Sequence, residues 1–180
     1  MDPPFVARGN TSAIDWSMAV LAGIVAMVVF VALQIIFALT LRETGPLQPL
    51  VTFGTATLSA VAPHVAAGDG FNAAGVGVAL LLALGALSGV VLALLVHRTG
   101  AIVAIVVGGV FGIAMYAIDM YGFARFFPVL GGLRDWPSAL AYVVQGALAA
   151  GLYKAMTRSA VLIIEDTGHD LRKLRDVRLV

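Results

Sequence analysis

Apolar residues run in long unbroken blocks along this chain, and the polar ones gather between them. The first block covers about 16–41, with Trp16 at its start and Gln34 its one strongly polar member. Its central residues, 18–39, would reach roughly 33 Å as a helix, enough for a hydrocarbon core of ~30 Å. Further blocks at about 72–96, 101–127 and 136–156 have the same character. The pattern predicts an all-α integral membrane protein, a bundle of four transmembrane helices in one domain. Residues 51–62 are apolar but too short to span; they lie at the interface, re-enter, or pack on the bundle.

The breaks between blocks carry turn chemistry. Gly45-Pro46 and Pro49 stop the first helix, and Gly68-Asp69-Gly70 precede the second span, which Asn72 can cap. His97-Arg98-Thr99-Gly100 forms a tight turn, making spans two and three antiparallel neighbours. Span three continues through Asp119 to Phe127, where Pro128 and Gly131-Gly132 end it. Asp135 is placed to cap span four, with Pro137 in its first turn. Residues 159–180 form a basic amphipathic tail, in which Gly168 divides a helical extension from a surface helix.

Composition agrees: 61% of the 180 residues are hydrophobic and 12% charged, where soluble domains average about 25% charged. The polar start, 1–15, and the length of the first block fit a retained helix and not a cleaved signal. Charge then sets orientation. With both termini cytoplasmic, inside segments hold Arg8, Arg98, Lys154, Arg158, Arg172, Lys173, Arg175 and Arg178. Outside segments hold Arg42, Arg125 and Arg134, a count of eight against three that satisfies the positive-inside rule.

Small residues recur four apart in every span: Ala19/Gly23, Gly85/Gly89, Gly108/Gly112 and Gly146/Ala150. Such pairs let helix backbones approach closely. The pairs at 85/89 and 108/112 are the best candidates for tight crossings, including one with each other.

Chemistry is sparse. There is no cysteine, which removes disulfides, thiolate metal sites and cysteine nucleophiles. His64, His97 and His169 have no metal-type ligand at helical spacing, and His64 and His97 fall on opposite sides of the membrane. No catalytic residue, cofactor or metal is expected, and the composition leaves room for bound lipid. Gln34, Asp119 and Gln145 lie about seven, eight and nine residues from the outer ends of their spans. All three therefore sit roughly 10–14 Å below the outer surface, and Tyr116 shares the face of Asp119. They form either a polar layer that fixes helix register or an ion path. Arg125, Arg134, Asp135 and Trp136 make an outer corner, either an interfacial belt with a local Arg–Asp pair or a docking surface for a partner or lipid head groups. Arg172, Lys173, Arg175 and Arg178 offer the same on the inner side.

The pattern from Gly112 through Tyr116, Asp119, Tyr121-Gly122-Phe123, Phe127-Pro128, Arg134-Asp135-Trp136 and Gly146 to Gly151-x-Tyr153 resembles a family of small four-helix bacterial inner-membrane proteins. That family is associated with respiratory oxidase genes. The resemblance implies a multi-pass protein of the bacterial inner membrane. It also implies a non-catalytic accessory subunit or assembly factor of a respiratory or other energy-converting complex. The partners are then membrane lipids and other integral-membrane subunits, and not nucleic acid. The alternative is a small homo-oligomeric ion- or proton-coupled transporter or channel using Asp119. An enzyme is not expected, since no nucleophile–base pair or second carboxylate accompanies Asp119.

Overall fold

The computed structural model describes residues 14–61 and 70–177, with side chains described over 14–60 and 72–157. Among the described residues five α-helices follow in order: α1 (Trp16–Thr40), α2 (Gln48–Val61), α3 (Gly70–Val96), α4 (Ala101–Ala117) and α5 (Trp136–Val177). Between α4 and α5 lie a π-helical turn (Ile118–Gly122) and two 3₁₀ turns (Phe123–Arg125 and Pro128–Leu133). No strand occurs among the described residues. Among the described residues four segments are long and apolar enough to cross a membrane: Trp16–Thr40, Asn72–Val96, Ala101–Arg125 and Trp136–Thr157.

α1 begins where the Asp15 carboxylate accepts from the Met18 N–H at 3.1 Å and from the Ser17 hydroxyl at 2.6 Å. These bonds satisfy an orphan donor of the first turn. The Ser17 bond, followed by that of Met18, holds the Asp15 carboxyl below its ordinary value. At the other end, the N–H groups of Leu41 and Arg42 both reach the Phe37 carbonyl at 3.0 Å, and Glu43 turns the chain with φ 52°. The buried face of α1 reads Ala19, Ala22, Gly23, Ala26, Met27, Phe30, Gln34, Ala38, a three-and-four spacing that makes one stripe.

That stripe packs on α3 and α5; α4 lies mainly on α5, and α2 on α3. Glycine decides the first of these contacts. A Cβ on Gly23 would come within 2.8 Å of the Gly89 Cα and closer still to the Gly85 carbonyl oxygen. A Cβ on Gly108 would meet the Gly146 carbonyl oxygen and lie 2.8 Å from the Ala150 Cβ. The 85/89 and 108/112 pairs do make tight crossings, but each with a different helix. Gly85/Gly89 meet Ala19/Gly23 on α1, while Gly108/Gly112 meet Tyr142 and Gly146 on α5. Another crossing joins Gly54 of α2 to Ala73 and Gly77 of α3.

Side-chain size divides the core. Toward Trp16 it is built largely of alanines (19, 22, 26, 93, 104, 149 and 150) with Leu92, Val96 and Tyr153. Toward Thr40 it holds Met27, Phe30, Phe53, Leu81, Met120, Leu130, Leu133 and Tyr142. Phe30 is the hub there, edge-on to Phe53 at 6.5 Å and to Tyr142 at 4.9 Å between ring centroids.

Two expectations change. Span three does not run as one α-helix to Phe127, because at Ile118 it widens into the π turn before the 3₁₀ turns. There the Phe123 N–H bonds to both the Asp119 and Ile118 carbonyls. Residues 51–61, for which packing on the bundle is one alternative, fall on α2, docked against α3. The tail is not divided: the α5 backbone continues through Gly168 to Val177. A single interior glycine costs only ~1 kcal/mol against alanine, which the flanking helix formers absorb.

Candidate functional site

The corner between α4 and α5 holds two separate polar constellations. The first is built on Asp135, whose Oδ1 accepts the Ser138 N–H at 2.9 Å and so caps α5. The same carboxylate is forked by Arg42, with Nε to Oδ2 at 2.6 Å and Nη2 to Oδ1 at 2.9 Å. Arg42 also donates to the Ser138 hydroxyl at 2.8 Å and to Gln34 Oε1 at 3.1 Å, and Gln34 Nε2 reaches Ser138 Oγ at 3.4 Å. Gln34 and Ser138 are fully buried, so this network joins the end of α1 to the start of α5 inside the bundle. Burial raises the Asp135 carboxyl, but the Arg42 fork and the Ser138 bonds outweigh it and hold it below the ordinary value.

The second constellation surrounds Asp119, in the π turn. Asp119 Oδ2 accepts the Tyr142 hydroxyl at 2.6 Å. Its Oδ1 takes no hydrogen bond from the described residues and is not sealed from accessible space. On one side lies a void of about 20 Å³ bounded by Ser88, Tyr142 and Gln145. On the other lies a cavity of about 300 Å³ with an almost wholly apolar lining from α2, α3, α4 and the 3₁₀ turns.

The four residues expected in one layer are therefore not joined by hydrogen bonds. Gln34 belongs to the Arg42–Asp135 network, and the Tyr116 hydroxyl donates to the Asp135 carbonyl at 3.3 Å. Gln145 donates to the Ser88 hydroxyl at 3.1 Å, linking α5 to α3. Asp119, within the π turn, pairs with Tyr142.

The outer-corner residues also separate. Arg134 donates through Nε and Nη2 to the Met120 carbonyl at 3.2 and 2.7 Å, and its guanidinium lies 4.3 Å from the Tyr121 ring centre. It closes the π turn. Arg125 and Trp136 are exposed, and Trp136 leans on Phe37 at 6.4 Å between centroids. At the opposite end, His97 Nδ1 bonds the Leu94 carbonyl at 2.8 Å, and Lys154 Nζ donates to the His97 carbonyl at 2.9 Å. His64 and Arg178 lie outside the described residues, as do the side chains of His169, Arg172, Lys173 and Arg175.

Sequence reasoning missed Arg42, Ser88, Ser138 and Tyr142 as partners. For two of them a signal existed: Ser138 stands three residues after the capping Asp135, and Arg42 lies eight after Gln34 on one helical face. Nothing in the sequence pairs Tyr142 with Asp119. No group of three or more metal-type ligands occurs among the described residues. Chemically, the site is an acid–phenol pair at the wall of an apolar cavity. Compared with family models, with curated proteins and with solved structures, the chain matches none, and its geometry alone carries the functional reading.

Proposed function

We propose that the four apolar helices span a bacterial inner membrane with both termini cytoplasmic. In this reading the protein is a non-catalytic accessory subunit or assembly factor of a larger inner-membrane complex, respiratory or otherwise energy-converting. The observation that carries it is the one-sided seating of α4. Its inward stripe, Ala104, Gly108 and Gly112, is pressed on α5, while Ile102, Val106, Val110 and Ile113 form an outward stripe at helical spacing. Ile102 is 80% exposed, and beyond the far end of α4 Phe126 is 78% exposed beside Arg125. An apolar stripe ending in exposed aromatic and basic residues has the chemistry of an interface core with a polar rim. Most polar groups elsewhere in the bundle are spent on internal bonds.

The test is site-specific photocrosslinking in native membranes. A photoreactive residue at Val106 or Val110 should capture one larger membrane subunit in stoichiometric yield, and one at Val28 on α1 should not. Capture of a second copy of the same chain from α4 would overturn the reading.

The competing reading is a small homo-oligomeric ion- or proton-coupled transporter or channel using Asp119. It is favoured by the open Oδ1 of Asp119 between two cavities. Purified protein in liposomes should then carry a proton or cation flux that Asp119→Asn abolishes.

A further inference from the structure

The larger cavity beside Asp119 has the composition of a binding site. Phe53, Ala56, Thr57 and Ala60 of α2 form one wall at helical spacing, and Leu80 and Leu84 of α3 form the floor. Met115 and Asp119 belong to α4 and its π turn, and Phe123, Phe127 and Leu130 close the corner. A volume of about 300 Å³ is at the low end of pockets that hold small organic ligands.

Asp119 is the one ionisable side chain in this lining, where the Thr57 hydroxyl is already turned to the Phe53 carbonyl. Asp119 Oδ2 is occupied by Tyr142, whereas Oδ1 accepts nothing from the described residues. No basic side chain lines the cavity. The nearby Arg134 is committed to the Met120 carbonyl and the Tyr121 ring, and Arg42 to Asp135. A carboxylate left thus beside hydrocarbon is complemented by a donor brought in from outside, and best by a cationic one, because ion-paired hydrogen bonds are the strong ones. Apart from Thr57, whose hydroxyl donates to the Phe53 carbonyl, the remaining wall offers apolar contact, which suits an aliphatic body.

We propose that this cavity binds a single-chain aliphatic amine. Its ammonium group sits on Asp119 Oδ1, and its chain lies between Phe53, Leu84 and Phe127. Tyr142 is the positioning residue, since its hydroxyl fixes the carboxylate that receives the head group. The amphiphile enters from the side, past Ala60 and Phe123, both exposed at the mouth. This inference is independent of the subunit reading, because it needs neither a partner nor the outward face of α4.

The experiment uses the full chain in phosphatidylcholine nanodiscs with photoreactive twelve-carbon probes differing only in head group: amine, alcohol or carboxylate. The amine should label residues of α2, α3 and the 3₁₀ turns saturably. Its half-saturation should lie about tenfold or more below that of the alcohol, the expected difference for a charge-assisted bond. Asp119→Asn retains an acceptor for Tyr142 and should bring amine and alcohol within about twofold of each other, no ion pair remaining. Ala60→Trp, at an exposed position, should suppress labelling by every probe without lowering the thermal midpoint. Equal labelling by all three head groups would identify an acyl-chain site for bulk lipid and overturn the proposal. An amine preference that survives Asp119→Asn would overturn it too.

Discussion

Arg42, two residues beyond the end of α1, forks onto Asp135, the cap of α5, at 2.6 and 2.9 Å. The partners are 93 positions apart, and between them they close the bundle at its Thr40 end. Arg42→Ala leaves Asp135, Gln34 and Ser138 without their common donor. Because the pair is partly exposed, at 13% and 28%, the loss should be nearer ~1–3 kcal/mol than the larger cost of breaking a sealed pair. Arg42→Lys should recover less than half of it, since an ammonium cannot fork a carboxylate. Thermal unfolding in mild detergent, run as a double-mutant cycle with Asp135→Asn, reads the coupling directly.

The same pair predicts an acid limb. Asp135 titrates below its ordinary value of 3.8 in the folded protein, because the Arg42 and Ser138 bonds overcome the effect of burial. A depressed carboxyl binds fewer protons folded than unfolded, so its contribution is fully present above the unfolded value. It is lost as pH falls from that value through the lower folded one. Stability of the wild type minus that of Asp135→Asn should therefore be flat from pH 7 to about 5 and should shrink below pH 4. A difference that stayed constant down to pH 2 would show that the fork does not hold the charge.

Adjacent glycines on α4 should respond with opposite sign. A Cβ on Gly108 would strike the Gly146 backbone, whereas one on Gly109 would find only Val143 Cγ1 at 3.7 Å, an ordinary contact. Gly108→Ala should force α4 and α5 apart and cost ~1–3 kcal/mol, the usual price of overpacking. Gly109→Ala should be neutral or stabilising by up to ~1 kcal/mol through helix propensity. Midpoints of thermal unfolding for the two variants decide it, and a stabilising Gly108→Ala would contradict the crossing.

How far the sequence carried this structure depends on what each feature needs. Helix positions were legible because apolar run length is a local property, and so was the capping role of Asp135. The small-residue pairs announced that close crossings exist. They could not say that Gly85/Gly89 choose α1 while Gly108/Gly112 choose α5, because every glycine face is alike until the bundle is assembled. The hydrogen-bond partners within the polar layer were not legible for a related reason. Equal depth placed Gln34, Asp119 and Gln145 side by side, but hydrogen bonding depends on azimuth about each helix. The π turn at Ile118–Gly122 alters that azimuth, and no proline stands inside the α-helical run to announce it. Arg42 was counted only as an outside charge, although its spacing from Gln34 carried the hint.

The π turn has its own test in Arg134. Its fork on the Met120 carbonyl and its stacking on Tyr121 hold the last wide turn of α4 against the loop. Arg134→Gln should speed amide exchange at residues 120–123 by tenfold or more, a local opening of about 1.4 kcal/mol or greater, while leaving exchange in the α1–α3 crossing unchanged. Uniformly faster exchange through all helices would instead make Arg134 a global support.

Tyr142 and Asp119 form the last pair, and here the order of three variants is informative. Tyr142→Phe strips the donor from Asp119 Oδ2 and should cost ~1–3 kcal/mol, the range for leaving a partly buried polar group unpaired. Asp119→Asn keeps an amide oxygen in reach of the phenol, so it should cost less. Asp119→Leu removes the acceptor and strands the buried Tyr142 hydroxyl among Phe30 and Tyr116, whose rings lie 4.9 and 5.7 Å away. It should cost at least as much as Tyr142→Phe, unless the leucine gains enough from the apolar cavity wall to offset the orphaned hydroxyl. The double variant Tyr142→Phe with Asp119→Leu separates these effects, because it leaves neither group unpaired. If the pair is mainly a register pin, the double variant should be more stable than Tyr142→Phe alone. If stability instead falls additively, the bond seen at 2.6 Å contributes nothing of its own, and the two residues act only through their separate packing.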